Sequence, residues 1–256
     1  MKPTNRRSFL QVTGAAMAFP YVGKVLGANE KLNIGVVGVA GRGGSNLRGV
    51  AAVKESNIGA LCDVDLKNLT AAGKQYPDAK RFRDFRRMLD QKNLDAVVCS
   101  TPDHTHAVAI MGAIGRGKHV YSEKPLAHTV QEARWVQEEY IKRKDKIATQ
   151  MGTQIHATDN YRRAVELVQA GAVGKIKEAH VWCGRTIRPV GEEVLPEQPI
   201  PQGFNWETWL GPAPQRAYNQ GYWKGGNLNW NRRWDFGNGV LGDMGSHLID
   251  LPYWKE

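Results

Sequence analysis

Gly38, Gly41, Gly43 and Gly44 close an apolar run that contains Ile34, Val36 and Val37. A buried strand that turns through glycines into a helix does one thing well. Its backbone comes close to a ligand, and the first unpaired N–H groups of the helix face a pyrophosphate. The spacing is G-x-A-x-x-G over Gly38, Ala40 and Gly43, with Ala40 in place of the middle glycine, and Gly41 and Arg42 complete the turn. A second strand, Ile58 to Cys62, leads into Asp63, 20 residues beyond Gly43. That is the separation at which an acid meets the ribose of an adenine nucleotide. Residues 32–63 therefore read as a dinucleotide-binding βαβ unit. A carboxylate at Asp63 repels a 2′-phosphate, which favours NAD over NADP, with NADP kept as the alternative.

The elements that must position this turn follow in order. Residues 65–76 read as a helix and 80–90 as a basic amphipathic connector. Leu94 to Ser100 is an apolar run of strand length, followed by Thr101-Pro102-Asp103-His104-Thr105-His106. A helix from Ala107 to Gly115 leads to a strand at His119 to Ser122, and then to Glu123-Lys124-Pro125. Residues 129–143 read as a helix and Lys146 to Met151 as a strand. Such alternation predicts a doubly wound parallel sheet of the Rossmann type, α/β in class. Ligands of such sheets lie at the carboxyl ends of the strands. Asp63, the Thr101 loop and Lys124 all follow strand ends, so one crevice can collect them.

Beyond Gly152 the pattern changes. A helix is predicted over Tyr161 to Ala170 and one strand over Ile176 to Cys183. A proline-rich stretch, Arg188 to Phe204, is long enough to suggest a binding loop or surface arm. Six of the eight tryptophans fall between Trp206 and Trp254. Aromatic faces suit sugar rings and hint at a carbohydrate, although core packing is the stronger expectation for most of them.

The remaining composition excludes more than it assigns. The chain has 256 residues and a net charge of +10, of which the first 31 residues carry +4. The other charges are scattered and form no nucleic-acid stripe. Cys62, Cys99 and Cys183 have no metal spacing, and the two at strand ends read as packed thiols. Asn5-Arg6-Arg7-Ser8-Phe9-Leu10, followed by a weakly apolar segment from Val12 to Leu26, reads as a twin-arginine export signal. The segment is too short and glycine-rich to span a membrane. The expected location is the periplasm or the outer cell surface, with no stable membrane anchor. The expected domains are residues 1–30 (signal region), 31–153 (nucleotide-binding) and 154–256 (substrate-binding).

Several motifs now stand in one order: the Gly38–Gly43 turn, Thr101-Pro102 with His106, Glu123-Lys124-Pro125, Trp209-Leu210-Gly211-Pro212-Ala213-Pro214, and Gly242-Asp243-Met244-Gly245-Ser246-His247-Leu248-Ile249-Asp250. In these the chain resembles the glucose–fructose oxidoreductase / inositol dehydrogenase (Gfo/Idh/MocA) family, in particular its exported branch. The resemblance covers about residues 30–256. It implies that Lys124, Asp243 and His247 meet at a nicotinamide and act on a secondary alcohol of a sugar, inositol or related polyol. His247 would be the base and Lys124 would steady negative charge on oxygen. Asp243 and His247 are i, i+4, so on a helix Asp243 could orient the imidazole or raise its pKa. Thr101, Pro102, His106 and Glu123 would join the cofactor site, with helix packing as the other role open to His106. Asp250 would be a helix charge or a substrate contact.

The resemblance also implies an open sheet after the Asp-x-x-x-His helix, which would form the substrate floor and a subunit interface. The chain stops at Glu256, soon after that helix, so the second domain is expected to be incomplete, and homo-oligomers are expected of a full-length form. Two alternatives stand beside the dehydrogenase reading. One is an NAD-using glycoside hydrolase of the same fold, and the other a non-catalytic nucleotide-binding or sensory protein.

Overall fold

β1 (Leu32–Val37), β2 (Ser56–Cys62), β3 (Lys80–Phe82), β4 (Ala96–Cys99), β5 (His119–Glu123) and β6 (Thr149–Gly152) form a single sheet in the order 3-2-1-4-5-6. The computed structural model describes residues 31–185, 190, 191 and 193–254. Every pairing in the sheet is parallel. A sheet covered on both faces needs strands that are apolar throughout, and β1 and β4 meet that need with Val36, Val37, Val97, Val98 and Cys99 all buried. The strand order reverses between β1 and β4, which opens a crevice outside their carboxyl ends.

The helices are α1 (Gly41–Ala51), α2 (Leu66–Gln75), α3 (Phe85–Leu89), α4 (Asp103–Gly115) and α5 (Val130–Ile141), each following a strand. Side chains fix several of their starts. Asp65 accepts the Lys67 N–H and Asp84 the Arg86 N–H. At α5, Thr129 and Glu132 exchange bonds with each other's backbone N–H groups, a reciprocal cap. Two apolar cores flank the sheet, one built on Met88, Ile110, Ile114 and Val136, the other on Val36, Leu47, Leu61 and Leu69.

After β6 come α6 (Asp159–Gln169), α7 (Trp206–Leu210), α8 (Asn227–Trp230), α9 (Gly239–Leu248) and α10 (Asp250–Trp254). A third core gathers Phe204, Trp206, Trp209, Leu210, Tyr218, Tyr222 and Phe236. Packing therefore accounts for Trp206, Trp209 is mostly buried in the same core, and Trp234 is exposed. Residues 31–256 form one compact unit, and the boundary expected after residue 153 falls just beyond the last strand.

Four elements differ from the expectation. The connector at 80–90 holds β3 and α3. A three-residue edge strand reading Lys-Arg-Phe is too short and too charged to show alternation. The helix after Thr101 begins at Asp103, with Pro102 as its cap, because the polar run Asp103–His106 forms a buried first turn. β6 begins at Thr149, not Lys146. The strand expected at Ile176 to Cys183 is absent: that segment is irregular and exposed. An extended run becomes a strand only with a partner backbone alongside, and none of the described strands lies there. The expected twin-arginine signal falls in residues 1–30, outside the described residues. Among the described residues no helix is long and apolar enough to cross a membrane.

Candidate active site

The glycine turn owes its composition to geometry. Gly38 has φ +78°, and a Cβ there would lie 2.5 Å from the Ser100 carbonyl oxygen. A Cβ at Gly43 would lie 1.9 Å from the Gly38 carbonyl oxygen, so the helix packs on its own entry turn only without a side chain. Ala40 is extended (φ −110°) and exposed. That conformation accepts a methyl group, and so the middle glycine is dispensable. No side chain caps α1 and its first turn carries no acid, so its leading N–H groups remain available to an anion.

At the next strand end, Asp63 accepts the N–H of Val39 through Oδ2 (3.0 Å) and the N–H of Asp65 through Oδ1 (2.9 Å). The carboxylate is thereby tied to the glycine turn. Burial pushes its pKa up against these two bonds. Asp63 lines a chamber of about 170 Å³ with Gly38, Val64, Thr101, Phe204 and Trp209. A larger chamber of about 600 Å³ is lined by Gly41, Arg42, Pro102, Glu123, Lys124, Asp243 and His247. The two share Ala40, Asn68, Thr101, Pro102, Trp209 and Trp223 as walls, so they form one crevice in two parts.

The structure brings Lys124, Asp243 and His247 into that larger chamber although 119 residues separate the first two. Lys124 Nζ donates to Asp243 twice, to the carbonyl oxygen at 2.5 Å and to Oδ1 at 3.0 Å. Arg185 Nη1 donates to Oδ2 of the same carboxylate at 2.5 Å. Burial would raise the Asp243 pKa, but the bonds from Lys124 and Arg185 outweigh it and hold the group below the usual carboxylate range.

His247 departs from expectation. Among the described residues no hydrogen bond joins it to Asp243, whose carboxylate accepts from Lys124, Arg185 and Asn227. Its Nδ1 is buried without a partner. Burial first, then Lys124, lowers its pKa, and the opposing pull of Asp243 is too weak to reverse this.

The remaining site residues divide. Glu123 accepts from Arg42 Nε (2.9 Å) and from Asn46 (2.8 Å), which ties β5 to the start of α1 at the crevice edge. His106 is buried, and its two nitrogens sit 2.6 Å from the Pro125 carbonyl and 2.7 Å from that of Thr101. Neither nitrogen is left for a ligand. His106 braces the Thr101 loop against the residue after Lys124, so the packing role is the one its geometry supports. Asp250 pairs with His156 (2.8 Å).

Sequence reasoning missed Asp103 and Arg185. Asp103 lines the larger chamber at the start of α4, accepts the Asn238 N–H at 3.2 Å, and is pushed by burial up to about 7. Its place directly after Thr101-Pro102 was the available signal; Arg185 had none.

A dinucleotide fits this crevice on three counts: a glycine turn that a Cβ would fill, an uncapped helix start, and a carboxylate at the adenosine side. Comparison with known proteins agrees. Residues 32–152 match the model of the oxidoreductase family with an NAD-binding Rossmann fold, and residues 168–254 match that family's C-terminal alpha/beta domain. Inositol 2-dehydrogenase of Salmonella typhimurium is 26% identical over 70% of this chain and 52% of its own length. A glycosyl hydrolase family 109 protein of Solibacter usitatus is 31% identical over 63% of this chain and 39% of its own. Among solved structures, scyllo-inositol dehydrogenase from Lactobacillus casei, with NAD(H) and scyllo-inositol bound, superposes with a TM-score of 0.55. It is 28% identical over 57% of this chain and 43% of that one. The chain spans about half the length of the inositol dehydrogenases it matches. Fold, crevice and both family matches converge, and the chain belongs to the Gfo/Idh/MocA oxidoreductase family with its NAD-binding Rossmann domain.

Proposed function

We propose that this protein is an NAD-dependent oxidoreductase acting on a secondary alcohol of an inositol, sugar or related polyol, and that it works after twin-arginine export. One observation carries the chemistry. Lys124, held by Asp243, and His247, with an unpartnered Nδ1, line the same chamber at the far end of a crevice that starts at Asp63.

NAD, when bound, supplies the carbon that accepts a hydride. The remaining work falls to side chains of this chain. The first N–H groups of α1 would hold the diphosphate, and Asp63 would hold the adenosine ribose. The lowered pKa of His247 keeps its imidazole neutral near pH 7, which is the state a base requires. The His247 imidazole, which lines the chamber, would take the proton of the substrate hydroxyl while the carbinol carbon gives up its hydride to NAD and becomes a ketone. Lys124, turned by its two bonds to Asp243, donates to the same oxygen and offsets negative charge as it develops. Arg185 shares the Asp243 carboxylate and so fixes the orientation of that pair.

The test is formation of reduced nicotinamide with a panel of inositols and free sugars, in wild type and Lys124→Ala. Turnover in the wild type alone is the expected result, and binding of NADH with no turnover of any polyol would overturn the reading. The likeness to a family 109 glycosyl hydrolase favours one second reading, in which a transient oxidation at a sugar carbon leads to loss of the glycosidic group. Release of an aryl aglycone without net cofactor reduction would select it. Export is tested by fractionation of cells expressing Arg6→Lys with Arg7→Lys, which should retain the protein in the cytoplasm.

A further inference from the structure

The chamber beside Asp63 is walled partly by residues that do not belong to the nucleotide-binding sheet. Phe204, Trp209 and Trp223 line it together with Val37, Val64 and Phe85. The Phe204 and Trp223 rings are stacked, 4.6 Å between centroids and 13° between planes.

This wall is fastened to the sheet. Asp65 and Phe204 form an isolated antiparallel bridge. The Asn205 N–H donates to the Val64 carbonyl (2.9 Å), and the Leu66 N–H donates to that of Gly203 (3.0 Å). Arg83 donates to the same Gly203 oxygen at 2.9 Å. From α4, His104 Nε2 lies 2.9 Å from the Trp209 carbonyl. Behind the wall, Trp206, Tyr218, Tyr222 and Phe236 are buried. One polar atom in it is unsatisfied: the Trp223 indole Nε1 is buried with no hydrogen-bond partner.

We propose that Phe204, Trp209 and Trp223 form a preformed aromatic seat for the adenosine half of NAD, opposite the ribose-binding carboxylate of Asp63. The inference rests on the NAD reading of the crevice and assigns its adenosine chamber to residues outside the Rossmann domain. A purine presents a flat π face, which stacks on aromatic rings whatever its substituents. A wall already bonded in place loses little freedom when the ligand arrives, so its contribution appears mainly as slow dissociation.

The experiment uses the full chain, with Trp223→Ala and the conservative Trp223→Phe, and three probes: NAD, ADP-ribose and nicotinamide mononucleotide. Affinities come from calorimetric titration, dissociation rates from stopped-flow displacement of NADH, and stability from thermal unfolding. W223A should weaken NAD and ADP-ribose alike, by about ten- to a hundredfold, mostly through faster dissociation. Nicotinamide mononucleotide should lose much less affinity than ADP-ribose, although Trp223 also borders the larger chamber, and W223F should restore most of the lost affinity. Unchanged ADP-ribose affinity in W223A would overturn the proposal. So would an equal loss for all three probes with a lowered melting temperature, which marks a structural role alone. If the wild type binds neither NAD nor ADP-ribose, the cofactor reading itself falls, an outcome distinct from the other two.

Discussion

At the Asp63 end the crevice is a chamber of about 170 Å³ lined largely by rings, aliphatic and small polar side chains, while at the Lys124 end it opens to about 600 Å³ and gathers Arg42, Asp103, Glu123, Lys124, Arg185 and Asp243. The walls of the first are held by backbone hydrogen bonds, such as Asn205 N–H to Val64 O and Val39 N–H to Asp63. Those of the second are held by side chains that neutralise one another, Lys124 and Arg185 on Asp243 and Arg42 on Glu123. The contrast matches two tasks. Holding half of a cofactor needs a fixed, dry surface, whereas stabilising charge that exists only in a transition state needs donors kept ready by counter-charges. Each end also holds a buried polar atom without a partner, Nδ1 of His247 at the charged end and the indole N–H of Trp223 at the other.

If the division is real, substitutions at each end should separate binding from chemistry. Lys124→Ala should have the largest effect, lowering turnover by about 10³-fold while ADP-ribose affinity, measured by titration, stays at the wild-type value. A matching loss of affinity would erase the distinction between the two ends. Asp243→Ala should come next. It leaves Lys124 and Arg185 without their shared counter-ion, at a cost of about 3 kcal/mol in stability, read by chemical denaturation.

The third test sharpens the electrostatic side. Burial lifts the Asp103 carboxyl from its ordinary value to about 7. Between about pH 4 and pH 7 the unfolded chain has therefore released a proton that the folded chain retains. Stability contributed by this group is present below the unfolded pKa and lost as pH rises through the folded one. Asp103→Asn keeps an acceptor for the Asn238 N–H and removes the titration. Its stability relative to wild type should climb across that window by a few kcal/mol at most, and a flat difference would place Asp103 in contact with water. The smallest effect is expected at Asp63→Ala, which should weaken NAD by roughly tenfold with turnover at saturating NAD nearly unchanged.

Much of this was legible in the chain itself. The strand cores, the glycine turn and Asp63 are local in sequence, and each follows from periodicity or from a conformation only glycine adopts readily. Cys62 and Cys99 are buried as their strand positions imply. The failures share a cause. β3 and the absent strand at Ile176 to Cys183 both depend on whether another strand lies alongside, which no window of residues reveals. The role of His106 depended on two carbonyls, one of them on Pro125, 19 residues away. The expected Asp243–His247 partnership obeyed helical spacing but lost to Lys124 and Arg185, which arrive from distant segments with full charge.

Most of the alternation of strands and helices, the glycine turn and the residues that follow each strand end were settled by the linear chain, because burial patterns and turn conformations are short-range properties. Which carboxylate answers which cation, which histidine keeps an unpartnered nitrogen and which tryptophans wall the crevice were decided in three dimensions. Those outcomes turn on contacts of 2.5–3.0 Å between residues up to 119 positions apart, and at such range competition among partners, rather than spacing, determines the pairing.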